Sequence, residues 1–403
     1  MGKNITNIDW KKCTGCAACL YNCPVKAITM EDNSEGFTHP VVDNRCIECG
    51  VCLTRCPVNT NSKYKKMNIS SFGAYCNDKN LYNKSSSGGI FAACADYILK
   101  IGGVVIGASL TQDYNVKHIA VDNTDELFLL QGSKYVQSDM AEIYELVERY
   151  LSLGKCVLFS GTPCQVTGVI SSLDSKHIRT DNLITIDIVC HGVPSPKFFK
   201  EHMKYKYGSV TNVQFRNKNK HELSGYQISF IDKGKKHIIY PTNDDFYYSC
   251  YSTQVSLRES CYSCPFTTQN RVGDITLGDL ATQVKYESEI GDEHACSIVV
   301  INSSKGASII ESIKCVLTTV KVDYEEEVKA NKQFMMPTKR PEYRDTFYQD
   351  LFSDMSAYDE ARCKDYGYRY SCKEKAKNLF VKMTTPKARH RIKKIINALK
   401  CRG

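Results

Sequence analysis

Residues 13–24 read C-T-G-C-A-A-C-L-Y-N-C-P, and residues 46–57 read C-I-E-C-G-V-C-L-T-R-C-P. Both stretches follow the pattern C-x2-C-x2-C-x3-C-P, so the chain contains one motif twice. The short spacings let a tight loop point three thiolates at one site, and the proline after the fourth cysteine stops the following helix from running back into that site. Eight cysteines in this arrangement indicate a duplicated metal-binding loop.

The pattern is typical of two-cluster ferredoxins, in which three thiolates of a run hold one [4Fe-4S] cubane and the fourth crosses to the other cubane. The predicted ligands are Cys13, Cys16, Cys19 and Cys56 for the first cluster, and Cys46, Cys49, Cys52 and Cys23 for the second cluster. Zinc sites favour separated C-x-x-C pairs and do not need four cysteines in each run. We therefore predict two [4Fe-4S] clusters and a role in electron transfer.

Composition and charge agree with an intracellular redox protein. The chain has 403 residues and 21 cysteines, a length that corresponds to about two or three domains. No signal-peptide-like stretch opens the sequence and no transmembrane helix is predicted, so we expect a cytoplasmic protein. The net charge is +9, and residues 373–403 alone contain eleven Lys and Arg against one acidic residue. The excess positive charge therefore lies in a basic tail.

The pattern along the chain predicts three parts. Residues 1–62 form an α+β ferredoxin-like module, and a polar linker at 59–68 separates it from the rest. Residues 70–335 alternate apolar strands with helices, which predicts an α/β core. The predicted strands are 103–108, 156–160, 184–190 and 297–301, the predicted helices are 90–99, 165–173, 196–207 and 305–315, and a β-hairpin insertion is expected within 210–245. Residues 340–403 predict a helical C-terminal region.

Several loops of this core carry residues suited to ligand binding. Residues 85–89 (S-S-S-G-G) precede an apolar-periodic stretch, where backbone N–H groups at a helix N-terminus attract phosphate, although a serine-rich N-cap is the commoner explanation. Residues 161–165 and 190–196 each follow a predicted strand, at the position where open α/β sheets bind ligands. Each of these two loops contains a cysteine, and residues 261–265 add a C-x-x-C-P motif.

Five motifs in this order resemble those of the coenzyme F420 hydrogenase/dehydrogenase beta-subunit family, over roughly residues 10–330. They are S-S-S-G-G-I-F, Q-G-S-K-Y-V-Q-S, L-F-S-G-T-P-C-Q, V-C-H-G-V-P-S-P and C-x-x-C-P-F-(x)4-R-x-G-D-I-T-L-G-D. Members of that family are iron-sulfur flavoproteins that bind FAD and pass electrons between clusters and a two-electron carrier such as F420. Similar proteins with a fused ferredoxin module occur in bacterial polysaccharide-biosynthesis clusters. The resemblance implies that the α/β core binds flavin.

The resemblance also assigns roles to residues of this chain. It implies that the flavin pyrophosphate lies beside Ser86, Ser87, Gly88 and Gly89, and that the flavin is lined by Lys134, Tyr135, Val136 and Gln137. It also implies that Thr162, Pro163, Cys164 and Gln165 lie near the flavin ring or a neighbouring cluster. Lys134 would stabilise the reduced flavin anion, and His191 would relay a proton. Asp274 and Asp279 would hold the flavin or the loop backbone or, equally, cap turns. A surface lysine and a loop-fixing histidine are the ordinary alternatives for Lys134 and His191.

A second set of cysteines could hold a further cluster, because the catalytic domain of similar proteins can carry one of its own. We name Cys164, Cys190, Cys261 and Cys264 the third cysteine set. Their alternative role is that of inert buried thiols. The remaining cysteines have no ligand-like spacing and are expected to be structural.

The basic tail predicts a short amphipathic helix at 387–399. Packing on the body, peripheral contact with the inner face of the membrane and binding of an acidic partner all stay open. No nucleic-acid recognition motif is present, so we predict no nucleic-acid partner.

Our leading hypothesis is a FAD-dependent iron-sulfur oxidoreductase whose electron donor or acceptor is ferredoxin, F420 or another small redox molecule. One alternative is an electron-transfer subunit of a larger complex with no substrate of its own. Another is a reductase associated with polysaccharide biosynthesis at the membrane surface. The direction of electron flow and a homo-oligomeric state stay open.

Overall fold

The N-terminal module folds around the two cysteine runs. The computed structural model describes residues 3–60, 62–216, 228–239, 245–291 and 293–359. The elements of the module are α1 (Ala18–Tyr21), the antiparallel hairpin of β1 (Ile28–Asp32) and β2 (Thr38–Val42), α2 (Val51–Thr54) and α3 (Pro57–Thr60), with 3-10 helices at Ile5–Asn7 and Trp10–Lys12. The module is therefore a small α+β unit, as predicted.

The two cysteine runs adopt the same backbone conformation. In each run the second and fourth residues after the first cysteine have positive φ, namely Gly15 (65°) and Ala17 (61°), then Glu48 (53°) and Gly50 (74°). A short helix starts at the next residue in both copies. A left-handed non-glycine residue costs about 1–2 kcal/mol, so each loop carries a local strain that the rest of the fold compensates. The sequence repeat is thus a structural repeat.

The core is built on an eight-stranded mixed sheet. Its strands are β3 (Ser70–Cys76), β4 (Val104–Leu110), β5 (Val116–Val121), β6 (Val157–Gly161), β7 (Leu183–Ile188), β11 (Ile275–Asp279), β12 (Ser297–Ile301) and β13 (Leu317–Lys321). They lie in the order β13-β3-β12-β11-β7-β6-β4-β5. Strands β4, β6, β7 and β11 are mutually parallel neighbours, and the other pairings are antiparallel. The carboxyl ends of four adjacent strands therefore share one edge of the sheet.

Further helices follow the module, and some of them cover both faces of this sheet. They are α4 (Lys79–Asn83), α5 (Ile90–Lys100), α6 (Ile143–Ser152), α7 (Pro163–Ser175), α8 (Pro196–Lys206), α9 (Phe246–Ser252), α10 (Glu287–Ile290), α11 (Ser304–Ile313), α12 (Tyr324–Ala330) and α13 (Arg344–Ser353), with 3-10 helices at Thr124–Leu129, Glu259–Ser263, Gln283–Tyr286, Lys314–Val316 and Lys332–Phe334. On one face α5 and α11 pack on alternate residues of the central strands. On the other face α6 and α7 pack on the intervening residues. Burial on both faces explains why the central strands are almost entirely apolar.

The predicted strands and helices of the core are present, with boundaries displaced by about two residues, a usual uncertainty for such assignments. Elements that the sequence did not predict include the strands β3, β5, β11 and β13 and the helices α6, α9 and α12. A separate three-stranded antiparallel sheet contains β8 (Thr211–Gln214), β9 (Ile228–Asp232) and β10 (Lys235–Ile239). An aromatic cluster beneath this sheet joins α8, α9 and α13.

The predicted linker does not hold the module apart from the core. Lys63 Nζ and Tyr64 Oη both donate to Asp174 at the end of α7, at 2.6 and 2.9 Å. Lys66 exchanges backbone hydrogen bonds with Arg271, and its ammonium contacts Asp274 at 2.7 Å. Helices α1 and α3 also pack against α7. The short, polar segment is therefore a fixed connection, because its polar groups find partners on the core.

The C-terminal region is described only as far as residue 359, within which α13 accounts for part of the predicted helical region. The basic amphipathic helix predicted at 387–399 lies outside the described residues. No helix within the described ranges is both long and apolar enough to cross a membrane.

Candidate metal centre and cofactor site

The structure brings the first-cluster cysteines together across the two runs. The pKa of the Cys19 thiol is raised by burial and then by the charges of Cys16, Cys13 and Cys56. Burial likewise raises the pKa of Cys16 to about 11 and that of Cys56 to about 12. Thiols held neutral by burial become thiolates when a bound cation compensates their charge. The site is therefore suited to iron, with Cys56 of the second run beside three cysteines of the first.

The second-cluster cysteines line one cavity. Cys23, Cys46, Cys49 and Cys52 border one pocket. Cys49 is exposed, whereas Cys52 is buried. Cys23 belongs to the first run, so the same crossing of one ligand between the runs occurs here.

The donor geometry of these sites fits a cluster. Backbone N–H groups donate to cysteine sulfurs from Gly15 to Cys13 at 3.4 Å and from Ala27 to Cys23 at 3.2 Å. Hydrogen bonds to the sulfurs are a feature of cluster sites. Among the described residues, no group of three or more His, Cys, Asp or Glu is close enough to hold a single metal ion. A cubane places four irons between its thiolates, so its ligands stand further apart.

The third cysteine set also converges. Cys164 follows β6, Cys190 follows β7, and Cys261 lies in the 3-10 helix Glu259–Ser263 with Cys264 directly after it. Burial raises the pKa of Cys164 to about 11 and that of Cys190 to about 12, and raises that of Cys261 well above its usual value. The charges of the other members of the set are a further cause of these shifts. Two polar contacts reach sulfur here, from Gly192 N to Cys190 and between Thr162 Oγ1 and Cys164.

The first-cluster cysteines and the third cysteine set are neighbours. The charge of Cys164 contributes, after burial, to the raised pKa of Cys16. Gly168 of α7 lies between the module and the core, and a Cβ built on it would be 3.6 Å from Cys16 Sγ. Tyr144 Oη donates to the carbonyl oxygen of Cys16 from the α6 side. Helices α6 and α7 thus position the first cysteine run against the carboxyl edge of the sheet.

Residues 85–89 are held by protein partners. Ser86 Oγ accepts from Ser133 N at 2.6 Å, and Ser87 Oγ donates to Cys296 O at 3.1 Å. Gly88 N donates to Ser297 Oγ at 3.0 Å, and a Cβ at Gly88 would lie 2.3 Å from Ala74 O. The N–H of Gly88 is therefore already paired, and glycine is required there because its backbone lies directly against strands β3 and β12. The position of a pyrophosphate beside residues 86–89 stays a prediction. Gly89, at φ +83°, precedes α5 and packs on Cys76.

The segment 131–138 runs along the carboxyl edge of the sheet. Lys134 Nζ donates to the carbonyl oxygens of Leu129 and Gln131, at 3.1 and 2.9 Å. Burial lowers the pKa of Lys134 to about 7. Tyr135 and Val136 belong to the aromatic cluster, and Gln137 is buried and donates from its backbone to Pro194 O.

The start of α7 is tied to this segment. Thr162 is the N-cap of α7, Pro163 is its first residue, and Thr162 N donates to Gln165 Oε1 at 2.9 Å. Gln165 Nε2 in turn donates to Ser138 Oγ at 2.8 Å. Three loops, at 131–138, 161–165 and 190–196, therefore meet at one edge, as the strand order requires.

The two aspartates of the last motif lie at opposite ends of β11. Asp279, at the carboxyl end, accepts from Arg216 Nη1 at 2.8 and 3.0 Å. Asp274, before β11, is buried and accepts from Lys66, Thr185 and Ser303. Its oxygens join β7, α11 and the connection to the module, and the expected role of Asp274 in flavin binding stays a prediction.

His191 is exposed in the loop after β7, and its backbone carbonyl accepts from Thr338 Oγ1 at 2.8 Å. Partial burial of the imidazole lowers the pKa of His191, and the charge of Asp279 opposes that shift. The side chain therefore lies near Asp279, at the end of β11.

Two residues near the site were missed by sequence reasoning. His118 on β5 is buried, its Nε2 contacts Ser160 O at 3.0 Å, and its Nδ1 has no hydrogen-bond partner among the described residues. Arg258 is 2% exposed and contacts the first cysteine run. A lone histidine and a lone arginine follow no spacing pattern, so only packing could reveal them.

Comparisons with known proteins match both parts of the chain. Residues 154–324 match the family described as the C terminus of the beta subunit of coenzyme F420 hydrogenase/dehydrogenase, and residues 12–60 match the 4Fe-4S dicluster domain. No curated protein matches the chain. Among solved structures, a chain of the F420-reducing [NiFe] hydrogenase complex from Methanosarcina barkeri is 16% identical, with a TM-score of 0.47, over 69% of this chain and 98% of that chain.

Proposed function

Because the chain belongs to the coenzyme F420 hydrogenase/dehydrogenase beta-subunit family and carries an N-terminal 4Fe-4S dicluster domain, we propose that it is an iron-sulfur flavoprotein oxidoreductase. The observation that carries the proposal is the row of three cysteine sets from the surface to the carboxyl edge of the sheet. Iron-sulfur clusters bound to these sets would pass electrons one at a time.

The order of the sets supports a route for electrons. The second set includes the exposed Cys49, which makes it the natural point of exchange with solvent-borne carriers. The first set lies inside, and its Cys16 neighbours Cys164 of the third set. We propose that the third set holds a cluster of its own, because four partly buried cysteines from three separate loops converge there.

FAD is the cofactor that we propose for the adjoining edge of the sheet. A flavin exchanges electrons singly with clusters and in pairs with a substrate. The residues available to hold it are those of the 131–137 segment and of the start of α7, including Lys134, Tyr135, Thr162 and Pro163. Burial lowers the pKa of Lys134 to about 7, so it can gain its charge beside an anionic group. His191 and Asp279 lie at the next loop along this edge.

A second candidate function is an electron-transfer subunit without its own substrate. The exposed side chains of Trp10 (53%) and Ile47 (62%) favour it, since both lie on the cluster module and would suit contact with a partner protein. We propose the boundaries 1–62, 70–335 and 340–403 for the module, the catalytic core and the C-terminal region. Membrane contact through the tail depends on residues beyond those described.

The test is to purify the protein anaerobically and to measure its iron, sulfide and flavin contents. We expect about twelve iron atoms and one FAD for each chain, from four irons in each of three cubanes. Screening reduced F420, NAD(P)H and reduced ferredoxin as donors then separates the two functions, because an isolated transfer subunit would accept no electron pair from reduced F420 or NAD(P)H. Stoichiometric zinc with no iron would overturn the proposal.

A further inference from the structure

Arg258 is a buried cation whose hydrogen-bond acceptors are neutral. Its side chain is 2% exposed. Nε donates to Cys13 O at 2.7 Å, Nη1 to Gln137 Oε1 at 2.9 Å and Nη2 to Thr38 O at 2.9 Å. A buried charge usually requires a charged partner. The arginine side chain keeps its positive charge at all physiological pH values, so this charge acts on whatever lies nearby.

What lies nearby is the first cysteine run. The guanidinium contacts the carbonyl of the ligand Cys13, and a Cβ built on Gly15 would lie 2.8 Å from Arg258 Nη1. In the third cysteine set, burial raises the pKa of Cys164 and the charge of Arg258 opposes that rise. Arg258 therefore stands beside the first cluster site, on the side that faces the core.

The charged groups around Arg258 do not cancel its charge. Glu35 and Glu259 line the same small groove, but Arg344 pairs with Glu35 and Arg340 pairs with Glu259. Asp32 is a more distant carboxylate. Its pKa is raised by burial and then by the charge of Asp139, and the charge of Arg258 opposes that rise. The pKa of His39 is lowered to about 4 by burial and by Arg258, so His39 is neutral and adds no charge.

We propose that Arg258 is a positioning residue that raises the reduction potential of the first cluster above the value that burial alone would give it. The inference rests on the iron-sulfur sites proposed above. A cluster that gains an electron gains one negative charge, and burial opposes that gain because it disfavours charge. A fixed positive charge beside the ligand loop stabilises the reduced cluster, and net charge and hydrogen bonding are levers that set cluster potentials. The second cluster site includes the exposed Cys49, where solvent screens such charges.

The functional consequence concerns the order of the sites. If the reduction potential of the first cluster is raised, an electron resides on the first cluster in preference to the second cluster. The charge of Arg258 also acts on Cys164. It therefore favours reduction at both the first cluster site and the third cysteine set, relative to the exposed second cluster site. Arg258 thus contributes a downhill step from the surface inward, whichever small carrier delivers the electron.

Three variants separate the charge of Arg258 from its hydrogen bonds. Gln137→Glu keeps an acceptor for Nη1 and adds a carboxylate that pairs with the guanidinium. Arg258→Gln removes the charge and keeps polar contacts, whereas Arg258→Lys keeps the charge and loses the forked geometry. Lys12→Gln is the matched control, because it removes an exposed charge next to Cys13.

The measurement is a redox titration of the intact protein followed by electron paramagnetic resonance, with iron content determined for every variant. We expect Gln137→Glu and Arg258→Gln to shift the one-electron equilibrium of the first cluster at least tenfold toward the oxidised form, which corresponds to 59 mV. Arg258→Lys and Lys12→Gln should shift it by less than about threefold, since the first keeps the charge and the second removes a screened one. The second cluster should not change.

Unchanged first-cluster midpoints in Gln137→Glu and Arg258→Gln, at full iron content, would overturn the proposal. So would an Arg258→Lys shift as large as that of Arg258→Gln, because the hydrogen bonds rather than the charge would then be responsible. If either Gln137→Glu or Arg258→Gln does not take up iron, the first-cluster midpoint of the other variant tests the proposal. Absence of iron from the unaltered protein would instead refute the cluster sites themselves.

Discussion

Arg344 of α13 forms a two-pronged ion pair with Glu35 of the cluster module, with Nη1 to Oε1 at 2.8 Å and Nη2 to Oε2 at 2.7 Å. Arg344 is almost fully buried, and its Nε also donates to Leu257 O. Phe37, two residues after Glu35, packs edge-on against Tyr348 of the same helix. Helix α13 therefore fastens the turn between β1 and β2 to the core.

We expect Arg344→Met to lower the free energy of unfolding by on the order of 3 kcal/mol, because it leaves the Glu35 carboxylate partly buried without its partner. Thermal unfolding under anaerobic conditions measures the change. Lys314→Met is the control, since it removes an exposed pair with Glu311 that is worth at most about 1 kcal/mol. Equal losses of unfolding free energy in the two variants would mean that the buried ion pair stabilises the fold no more than the exposed pair does.

The fourth cysteine of each run is expected to bind the cluster held mainly by the other run. This arrangement predicts which cluster is disturbed when that cysteine is replaced. Cys23→Ser should alter the signal of the second cluster, and Cys56→Ser that of the first cluster. Electron paramagnetic resonance of the partially reduced protein measures both signals, with Cys46→Ser and Cys13→Ser as references. The prediction is wrong if Cys23→Ser changes the same signal as Cys13→Ser.

The third cysteine set predicts a specific loss of iron. Replacing Cys261 and Cys264 together by Ser should remove about four iron atoms and spare the signals of the module. Cys315→Ser is the control, because Cys315 is exposed and remote from the sets. Iron content that is the same in the double variant and in the control would return the third set to a structural role.

The close packing of Gly88 predicts a stability effect without reference to any ligand. Gly88→Ala should cost about 3 kcal/mol, since the new Cβ would lie 2.3 Å from Ala74 O and 2.7 Å from Ser297 N. Gly107→Ala is a matched buried control whose nearest neighbour would be 3.8 Å away, so it should change stability by less than about 1 kcal/mol. Thermal midpoints compare the two. A Gly88→Ala variant as stable as the control would contradict the packing argument.

The lowered pKa of Lys134 predicts a pH dependence of stability. The unfolded chain holds this proton up to about pH 10.4, whereas the folded chain releases it near pH 7. Because the unfolded state binds more protons between these values, stability should rise with pH through this window. Thermal midpoints from pH 6 to 9 should therefore rise less steeply in Lys134→Met than in the unaltered protein. The exposed Lys117 provides the control as Lys117→Met, and identical slopes in all three proteins would refute the prediction.

The sequence by itself determined the chemistry of the module and the type of most elements. Eight cysteines at repeated short spacings specify ligand loops, because covalent geometry limits where neighbouring residues can point. Apolar periodicity likewise indicated the central strands and the helices that alternate with them. Both the cysteine spacing and the apolar periodicity are local patterns, so they can be recognised without knowing which distant residues the segments contact.

Only the tertiary structure decided which distant residues meet. The contact between Arg258 and Cys13 joins residues 245 positions apart, and no spacing pattern encodes it. The backbone of Gly88 lies directly against Ala74 of β3 and Ser297 of β12, and Asp274 fastens the connection to the module. Such roles depend on packing against the whole sheet, which places groups from separate loops at one edge. The strand order brings Cys164 and Cys190 to the same edge, whereas Cys261 and Cys264 reach it from the 3-10 helix Glu259–Ser263 and the residue after it.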